Sequence, residues 1–415
     1  MKIWIIKVGE PLPWLVGEDS NRLWRAGQLA ECMRGRGHVV TFWASKFDHY
    51  QKRFRLDFEK TQANGIETVL LSSRGYKTNL SFERMMDHRD LAKSFKENTI
   101  GRNTPDLIVV AWPTIELAYT AIHFGISHDV PVVLDIRDCW PDIIYDKAPG
   151  LLEWIPRYLF LYEHMTKFSF KNATALTAVS KGILEWAQLR GAREASASRL
   201  DYFFYQTQYD FLDAEDCTEF WHSKGVDLYS REMIRIVWAG SLEPTLDLET
   251  CLRAIEVFST QSESEIEFIF CGSGSMEQRV GELGWRLKNV VFVGQIGSLQ
   301  LKSLLANSQI GFMCYPDRYD FNASIPNKVV DFCMAGMRLI TNLNGELNTI
   351  VPRTEILRYR GGDVSSMVSV LKKIVSNKEI YKTPSPQTRL LFEKKFDASQ
   401  VLPVVGEYLE QFGKQ

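Results

Sequence analysis

A chain of 415 residues that is 45% hydrophobic and 24% charged has the composition of folded domains and length enough for two, which sets aside disordered and fibrous classes. Its 49 Lys plus Arg against 51 Asp plus Glu leave a formal charge of −2, without the broad cationic field that duplex nucleic acid requires, so no nucleic-acid partner is expected. Its apolar runs, such as LIVVAW at 107–112, fall far short of the roughly 18 residues of a membrane span.

MKIWIIKVGE opens the chain, and its apolar stretch before Lys7 is too short for a signal-peptide core. It reads as a buried strand, Ile3–Val8, with no export expected. In the following loop, GEPLPWLVGEDS, Gly9 and Gly17 permit close backbone approach to a ligand. A helix is expected over 22–36, with Leu23, Ala26, Leu29, Ala30 and Met33 on one face and Gly37 as its left-handed cap. Arg22 and Arg25 in its first turns oppose the dipole unless an anion or an acid lies nearby, and Glu18 and Asp19 are candidates for that acid. Strands are expected at Val39–Trp43, Ile66–Leu71, Leu107–Trp112, Val132–Ile136 and Ala175–Val179. Continuous apolar strands alternating with helical patterns imply a parallel, doubly wound sheet covered on both faces.

Two stretches of this half stand out. Residues 45–55 are basic and aromatic, with no role legible in the sequence. Val132–Ile136 leads into Arg137, Asp138, Cys139, Trp140, Pro141 and Asp142 at a strand's carboxyl end, where charged residues are commonly functional. Asp135, Arg137 and Asp138 suit either a grip on a sugar hydroxyl or an ion pair that fixes the loop. Residues 151–170, rich in Trp, Tyr, Phe and Leu, read either as an interfacial membrane helix or as a buried core helix, and the scarcity of cations favours the second.

Residues 196–230 break the rhythm, after which it resumes with strands at Ile234–Trp238, Ile266–Cys271, Val290–Val293, Ile310–Tyr315 and Arg338–Thr341. Helices are expected near 247–260, 275–284, 298–307, 326–335 and 398–413. The domains expected are 1–200, a connection over 201–230, a second doubly wound domain over 231–395, and a C-terminal helix over 396–415. Ligands of such sheets bind beyond the carboxyl ends of the strands, so function is expected in a cleft between the two domains. Seven Cys without a CxxC pair fit a reducing cytoplasm, and the dispersed His residues argue against structural zinc.

In the second domain, Ile266–Cys271 runs into Gly272-Ser273-Gly274 and a helix near Met276, which is either an anion-facing loop or only a tight turn. Further on, Ser324 is expected to cap a helix, with Pro326 in its first turn and Gly336 at its end. The positive helix pole together with Lys328 suits a diphosphate, and Asp331, one turn along, suits the hydroxyls of a ribose. The alternative is a surface Asp and Lys on an ordinary capped helix.

The order GSLEPTLDLETCLRAIE, FIFCGSGSMEQ, VVFVGQIGSLQLKSLLANSQIGFMCY and SIPNKVVDFCMAGMRLIT, with Asn344-Gly345-Glu346, resembles the GT-B-fold glycosyltransferases of family 4. It is most similar to the bacterial branch that builds O-antigens, capsules and exopolysaccharides, and GEPLP, 22–38 and DIRDCWPD extend the resemblance over essentially the whole chain. The resemblance implies an α/β fold of GT-B type, two doubly wound Rossmann-like domains facing across a cleft. It implies transfer of a sugar, with retained configuration, from a nucleoside diphosphate-sugar, UDP-linked by analogy, to a growing surface polysaccharide or polyprenyl-diphosphate-linked glycan. No metal and no cofactor beyond the nucleotide-sugar substrate are expected. The donor-binding residues would be Gly272, Gly274, Ser324, Asn327, Lys328, Asp331 and Glu346. The acceptor or sugar side would hold Gly9, Glu10, Arg137 and Asp138, and the catalytic residues would be Asp138 and Lys328. Such an enzyme is expected in the cytoplasm, with peripheral attachment to the inner membrane face if its acceptor is lipid-linked.

This chain departs from the broader family's pattern. Of two glutamates separated by seven intervening residues, the second corresponds to Asp331 and the first to Ala323, while Ser241 and Thr245 stand where the family has Arg and Lys. Two rival readings therefore stay open, a sugar-nucleotide epimerase of the same fold and a silent binding subunit of a polysaccharide assembly complex. A dinucleotide oxidoreductase is more distant, since no GxGxxG follows the first strand.

Overall fold

The structure is a computed structural model and describes residues 1–12, 23–55, 61–63, 65–79, 81–143, 156–192, 199–203, 205, 217–230, 232–261 and 265–413. The chain divides into two units, Met1–Gln206 with Ala398–Gln415, and Thr207–Asp397. The C-terminal helix Ala398–Glu410 thus returns to the first unit rather than standing apart.

The first unit is built on strands β1 (Lys2–Ile6), β2 (Val39–Ser45), β5 (Thr61–Ala63), β6 (Ile66–Leu71), β7 (Leu107–Trp112), β8 (Val132–Ile136), β9 (Ala175–Ala178) and β10 (Arg199–Tyr202). They lie in the order β10-β9-β8-β7-β1-β2-β6-β5, all parallel except the β5–β6 pair. Period-two alternation drives both faces of β1 into the core. Ile3 and Ile5 pack with Leu29, Met33, Val405 and Leu409 of the covering helices, whereas Trp4 points the other way, against Trp43 at 4.8 Å and Phe124 at 5.3 Å between ring centroids. Each such buried side chain contributes about 1.5–3 kcal/mol. Glu410 pins the C-terminal helix to the first helix of the unit, Arg25–Gly35, and to the turn after it, accepting from Arg36 at 2.8 and 2.6 Å and lying 2.8 Å from His38 Nε2. That first helix ends, as expected, at Gly37 with φ 87°. Within 45–55 a short antiparallel pair forms, β3 (Phe47–Asp48) with β4 (Arg53–Phe54).

The second unit is a six-stranded, wholly parallel sheet of β11 (Ile234–Ala239), β12 (Ile266–Cys271), β13 (Val290–Gly294), β14 (Ile310–Met313), β15 (Arg338–Thr341) and β16 (Ile356–Arg358), ordered β13-β12-β11-β14-β15-β16. Helices Leu248–Gln261 and Val364–Ser376 cover one face, burying Leu252, Ile255, Met367 and Leu371 against Ile236, Trp238 and Phe268. The edge strands β10 and β16 are too short and mixed to stand out as apolar runs.

In both sheets the chain reverses its direction of winding at one strand. β1 lies between β2 and β7, and β11 lies between β12 and β14. At such switch points two loops diverge beyond the strand ends and leave room for a ligand.

Candidate functional site

At the switch point of the second unit stands Lys328. The helix Asn327–Met334 begins immediately before it, and Gly336, at φ 73°, ends that helix and turns the chain into β15. Lys328 Nζ lies 4.3 Å from the Trp238 ring centroid of β11 and 6.0 Å from that of Tyr315, which follows β14. Gly240, just past β11, has φ 136°, and a Cβ there would fall 2.7 Å from Lys328 Cε. Only glycine therefore leaves room for the lysine to reach across the switch point. Burial pushes the ammonium pKa down to about 8, with Asp331 acting in the opposite direction. Lys328 makes no ion pair among the described residues, so a half-buried cation stands over an aromatic face without a counter-charge there.

Other predicted donor residues gather nearby through the backbone. Asn322 accepts from Glu346 N at 2.6 Å through its carbonyl and from Asn344 N at 3.0 Å through Oδ1, which docks the 342–346 loop beside Ser324. Glu346 is buried, Asp331 half-buried and Asn327 exposed. Two expectations need correction. Ser324 does not cap the helix: Pro326 occupies the N-cap, and the Ser324 hydroxyl donates back to Phe321 O at 3.4 Å. The Gly272-Ser273-Gly274 loop does not leave its glycine amides open to a ligand. Gly272 N donates to Gly294 O at 2.9 Å and Gly274 N to Glu277 Oε1 at 2.8 Å. Those glycines serve loop packing, since a Cβ on Gly272 would sit 1.8 Å from Gly240 O.

In the first unit, Glu10 and Arg137, two of the residues expected on the sugar side, join a closed charge network. Asp135, buried in β8, accepts a fork from Arg25 (2.9 and 3.1 Å), one bond from Arg137 (3.1 Å) and one from Thr177 (3.0 Å). Burial opposes its charge, but the two guanidinium groups outweigh burial and hold the carboxyl far below the usual range. Arg137 also donates to Glu10, whose other oxygen accepts from Ala26 N at 2.9 Å and Gly27 N at 3.3 Å. Glu10 therefore neutralises the positive pole of the first helix, whose own N-cap, Trp24, has no side-chain bond to offer. The acid that Arg25 needed is Asp135, while Arg22, Glu18, Asp19 and Gly17 lie outside the described residues. Asp138 is half-buried at the end of β8, with Oδ1 accepting from Cys139 N at 3.0 Å. A Cβ added at Gly9 would lie 4.0 Å from His49 Cβ.

The segment 151–170 is described from Pro156, in the helix Pro156–Asn172. Phe170 packs on Trp112 at 4.8 Å and Tyr162 donates to Glu116 at 2.8 Å, so that face is core, while Phe160 is exposed. Among the described residues no helix is long and apolar enough to cross a membrane, and no three His, Cys, Asp or Glu side chains gather as metal ligands. Three cations near the first switch point, Lys7, Lys52 and Arg84, carry no motif in the sequence, although Lys52 falls within the basic and aromatic stretch 45–55. The available signal was Lys7 itself, a charge set directly after a buried strand.

Residues 24–200 match the family model of a glycosyl transferase 4-like domain. No curated protein sequence matches the chain. Among solved structures, sucrose-phosphate synthase from Thermosynechococcus elongatus is similar over 99% of this chain and 98% of its own, with TM-score 0.71 at 15% identity. Anabaena Alr3699/HepE in complex with UDP is similar over 99% and 100%, with TM-score 0.64 at 12% identity. WaaG, a glycosyltransferase involved in lipopolysaccharide biosynthesis, is similar over 99% of both chains, with TM-score 0.63 at 12% identity. At these identities the likeness establishes the architecture, which is α/β of GT-B type with two doubly wound units.

Proposed function

We propose that this chain is a retaining glycosyltransferase that moves a sugar from a nucleoside diphosphate-sugar, UDP-linked by preference, to a growing bacterial surface glycan carried on a lipid. The observation that carries the reading is Lys328, a half-buried ammonium without an ion pair among the described residues, at the switch point of the second sheet, 4.3 Å over Trp238 and at the start of a helix. Breaking the bond between the anomeric carbon and the diphosphate develops negative charge on the departing oxygen. A fixed cation and the free amides at the start of the helix stabilise that charge more than the ground state. An arriving diphosphate also raises the Lys328 pKa from about 8, so the lysine is held protonated when it is needed.

Asp331, one turn along, is assigned to the ribose, and Glu346 to the donor. Asp138 is assigned to the sugar, at the carboxyl end of β8. Two further facts support the reading: residues 24–200 match a glycosyl transferase 4-like domain, and structural neighbours were crystallised with UDP and with UDP-glucose. A lipid-linked acceptor would place the enzyme in the cytoplasm, attached peripherally to the inner membrane face.

The test is a thermal-shift titration against UDP, GDP, ADP, CMP and NAD. A ligand at a hundred times its dissociation constant stabilises the folded state by about 2.7 kcal/mol. Selective stabilisation by one nucleoside diphosphate is expected, whereas stabilisation by NAD alone overturns the reading. Turnover of the donor to an epimer without any acceptor would replace it with the epimerase.

A further inference from the structure

We infer that the carboxyl-terminal end of the first sheet carries an anion site for an acceptor bearing a phosphoryl group, built from Lys7, Lys52 and Arg84 around His49 and Tyr76. The inference rests on the transferase reading, in which the first unit receives the acceptor. It concerns residues that the donor reading does not use.

The three cations come from separate elements. Lys7 directly follows β1, Lys52 occupies the turn between β3 and β4 with φ 54°, and Arg84 is the third residue of the helix Phe82–Thr99. Asn79 gathers two of them, accepting from Lys52 Nζ at 2.5 Å through its side chain and from Arg84 Nη1 at 2.8 Å through its carbonyl. Both cations lie over one ring, with Lys52 Nζ 4.4 Å and the Arg84 guanidinium 5.6 Å from the Tyr76 centroid, and Arg84 is also 5.1 Å from Trp140. The Lys7 charge lowers the basicity of the His49 imidazole, while Lys7 is itself lowered by burial, then by Arg137 and, to a smaller extent, by Arg84, with Glu10 and Asp135 acting in the opposite direction.

None of these three cations has an ion-pair partner among the described residues. The carboxylates around them are already engaged. Glu10 and Asp135 belong to the network described above, Asp48 pairs with Arg55 at 3.2 Å, and Asp87 accepts from Gly75 N at 2.7 Å. Arg84 Nε is buried without a partner, and its cation stands in the first turn of a helix, against the dipole. His49 is kept neutral at physiological pH, its pKa pushed down to about 4 by burial and then by Lys52, Arg84 and Lys7. His49 Nδ1 is hydrogen-bonded to the Tyr76 hydroxyl, and it also lies 3.5 Å from Lys52 Nζ, an ammonium that can only donate. The ring proton is therefore on Nε2, a further donor.

Like charges gathered this way repel one another, and a bound anion removes the cost. A carboxylate brings a single charge. A phosphoryl group brings roughly −1.5 to −2 and three acceptor oxygens, one for each cation, while the aromatic faces beside it suit a sugar ring. That chemistry is shared by a soluble sugar phosphate and by the diphosphate of a polyprenyl carrier.

The test is calorimetric titration of the full chain, saturated with UDP, with inorganic pyrophosphate. A site independent of UDP is expected, retained in Lys328→Ala, weakened about tenfold in Lys52→Ala and in Arg84→Gln, and lost in the double variant. Equal binding by a correctly folded double variant, or full competition with UDP, overturns the proposal. Displacement of pyrophosphate by vesicles carrying a polyprenyl diphosphate assigns the lipid source, and displacement by glucose 1-phosphate the soluble one. Displacement by neither overturns the assignment to an acceptor. UDP binding is read separately, so its failure would sink the donor reading while pyrophosphate binding through Lys52 and Arg84 still stood.

Discussion

The switch points of the two sheets handle charge in opposite ways. In the first unit, Arg25, Asp135, Arg137 and Glu10 satisfy one another and the first helix, and every carboxylate oxygen among them has a partner. In the second, Lys328 stands with an aromatic ring beneath it and no carboxylate bonded to it. A charge satisfied within the protein holds the fold together, whereas a charge left unsatisfied in a buried place is provision for a ligand. By that criterion Asp135 and Arg137 of the DIRDCWPD stretch are chiefly architectural, while Asp138 keeps its assignment to the sugar and Lys7, Lys52 and Arg84 are proposed for the acceptor's phosphoryl group.

The largest effect that would break this contrast is on stability. Asp135→Ala strands two buried guanidinium groups and is expected to cost about 3–5 kcal/mol, read as a lower urea midpoint for the first unit, while Lys328→Ala leaves the midpoint unchanged or higher. An innocuous Asp135→Ala would show that the network is not structural. Next, Lys328→Ala is expected to weaken UDP binding by about tenfold to a hundredfold, roughly 1.4–2.8 kcal/mol, by calorimetry. Unchanged affinity would remove the donor assignment.

Acidity provides a third handle. Because the Lys328 pKa lies near 8 instead of its usual 10.5, UDP affinity is expected to fall about tenfold between pH 7 and 9.5 as the lysine loses its proton. The sign for stability is the reverse. Between about pH 8 and 10.5 the unfolded chain binds more protons at Lys328 and at Lys7, whose pKa is likewise lowered to about 8, so stability attributable to these two groups rises with pH. Asp138→Ala is expected to lower turnover with little change in UDP affinity, and equal losses in both would move Asp138 out of the sugar role. Smallest of all, Ser324→Ala should stay within about 0.5 kcal/mol of the parent, because the hydroxyl caps no helix.

Much of the architecture was legible because its signals are local. Two-residue and 3.6-residue periodicity marked strands such as Leu107–Trp112 and the helix ending at Gly37, and the run from Pro326 to Gly336 gave the helix that carries Lys328. The roles of individual charges were not legible, because a partner's identity depends on which strands become neighbours. Asp135 meets Arg25 from 110 residues away, and Glu10 meets Arg137 from 127. The choice between an anion-facing loop and a tight turn at Gly272-Ser273-Gly274 was open for the same reason, since its glycine amides are occupied by Gly294 and Glu277 only once β12, β13 and the following helix are assembled.

By itself, then, the sequence determined two doubly wound units and put a lysine at the head of a helix in the second, since backbone preference and apolar periodicity act over a few residues. The tertiary structure alone decided that the C-terminal helix packs on the first unit, that Glu10 meets Arg137 and the first amides of a helix, and that Lys7, Lys52 and Arg84 stand near one another. Those outcomes follow from strand order and from the need to neutralise buried charge, and both act across the whole sheet.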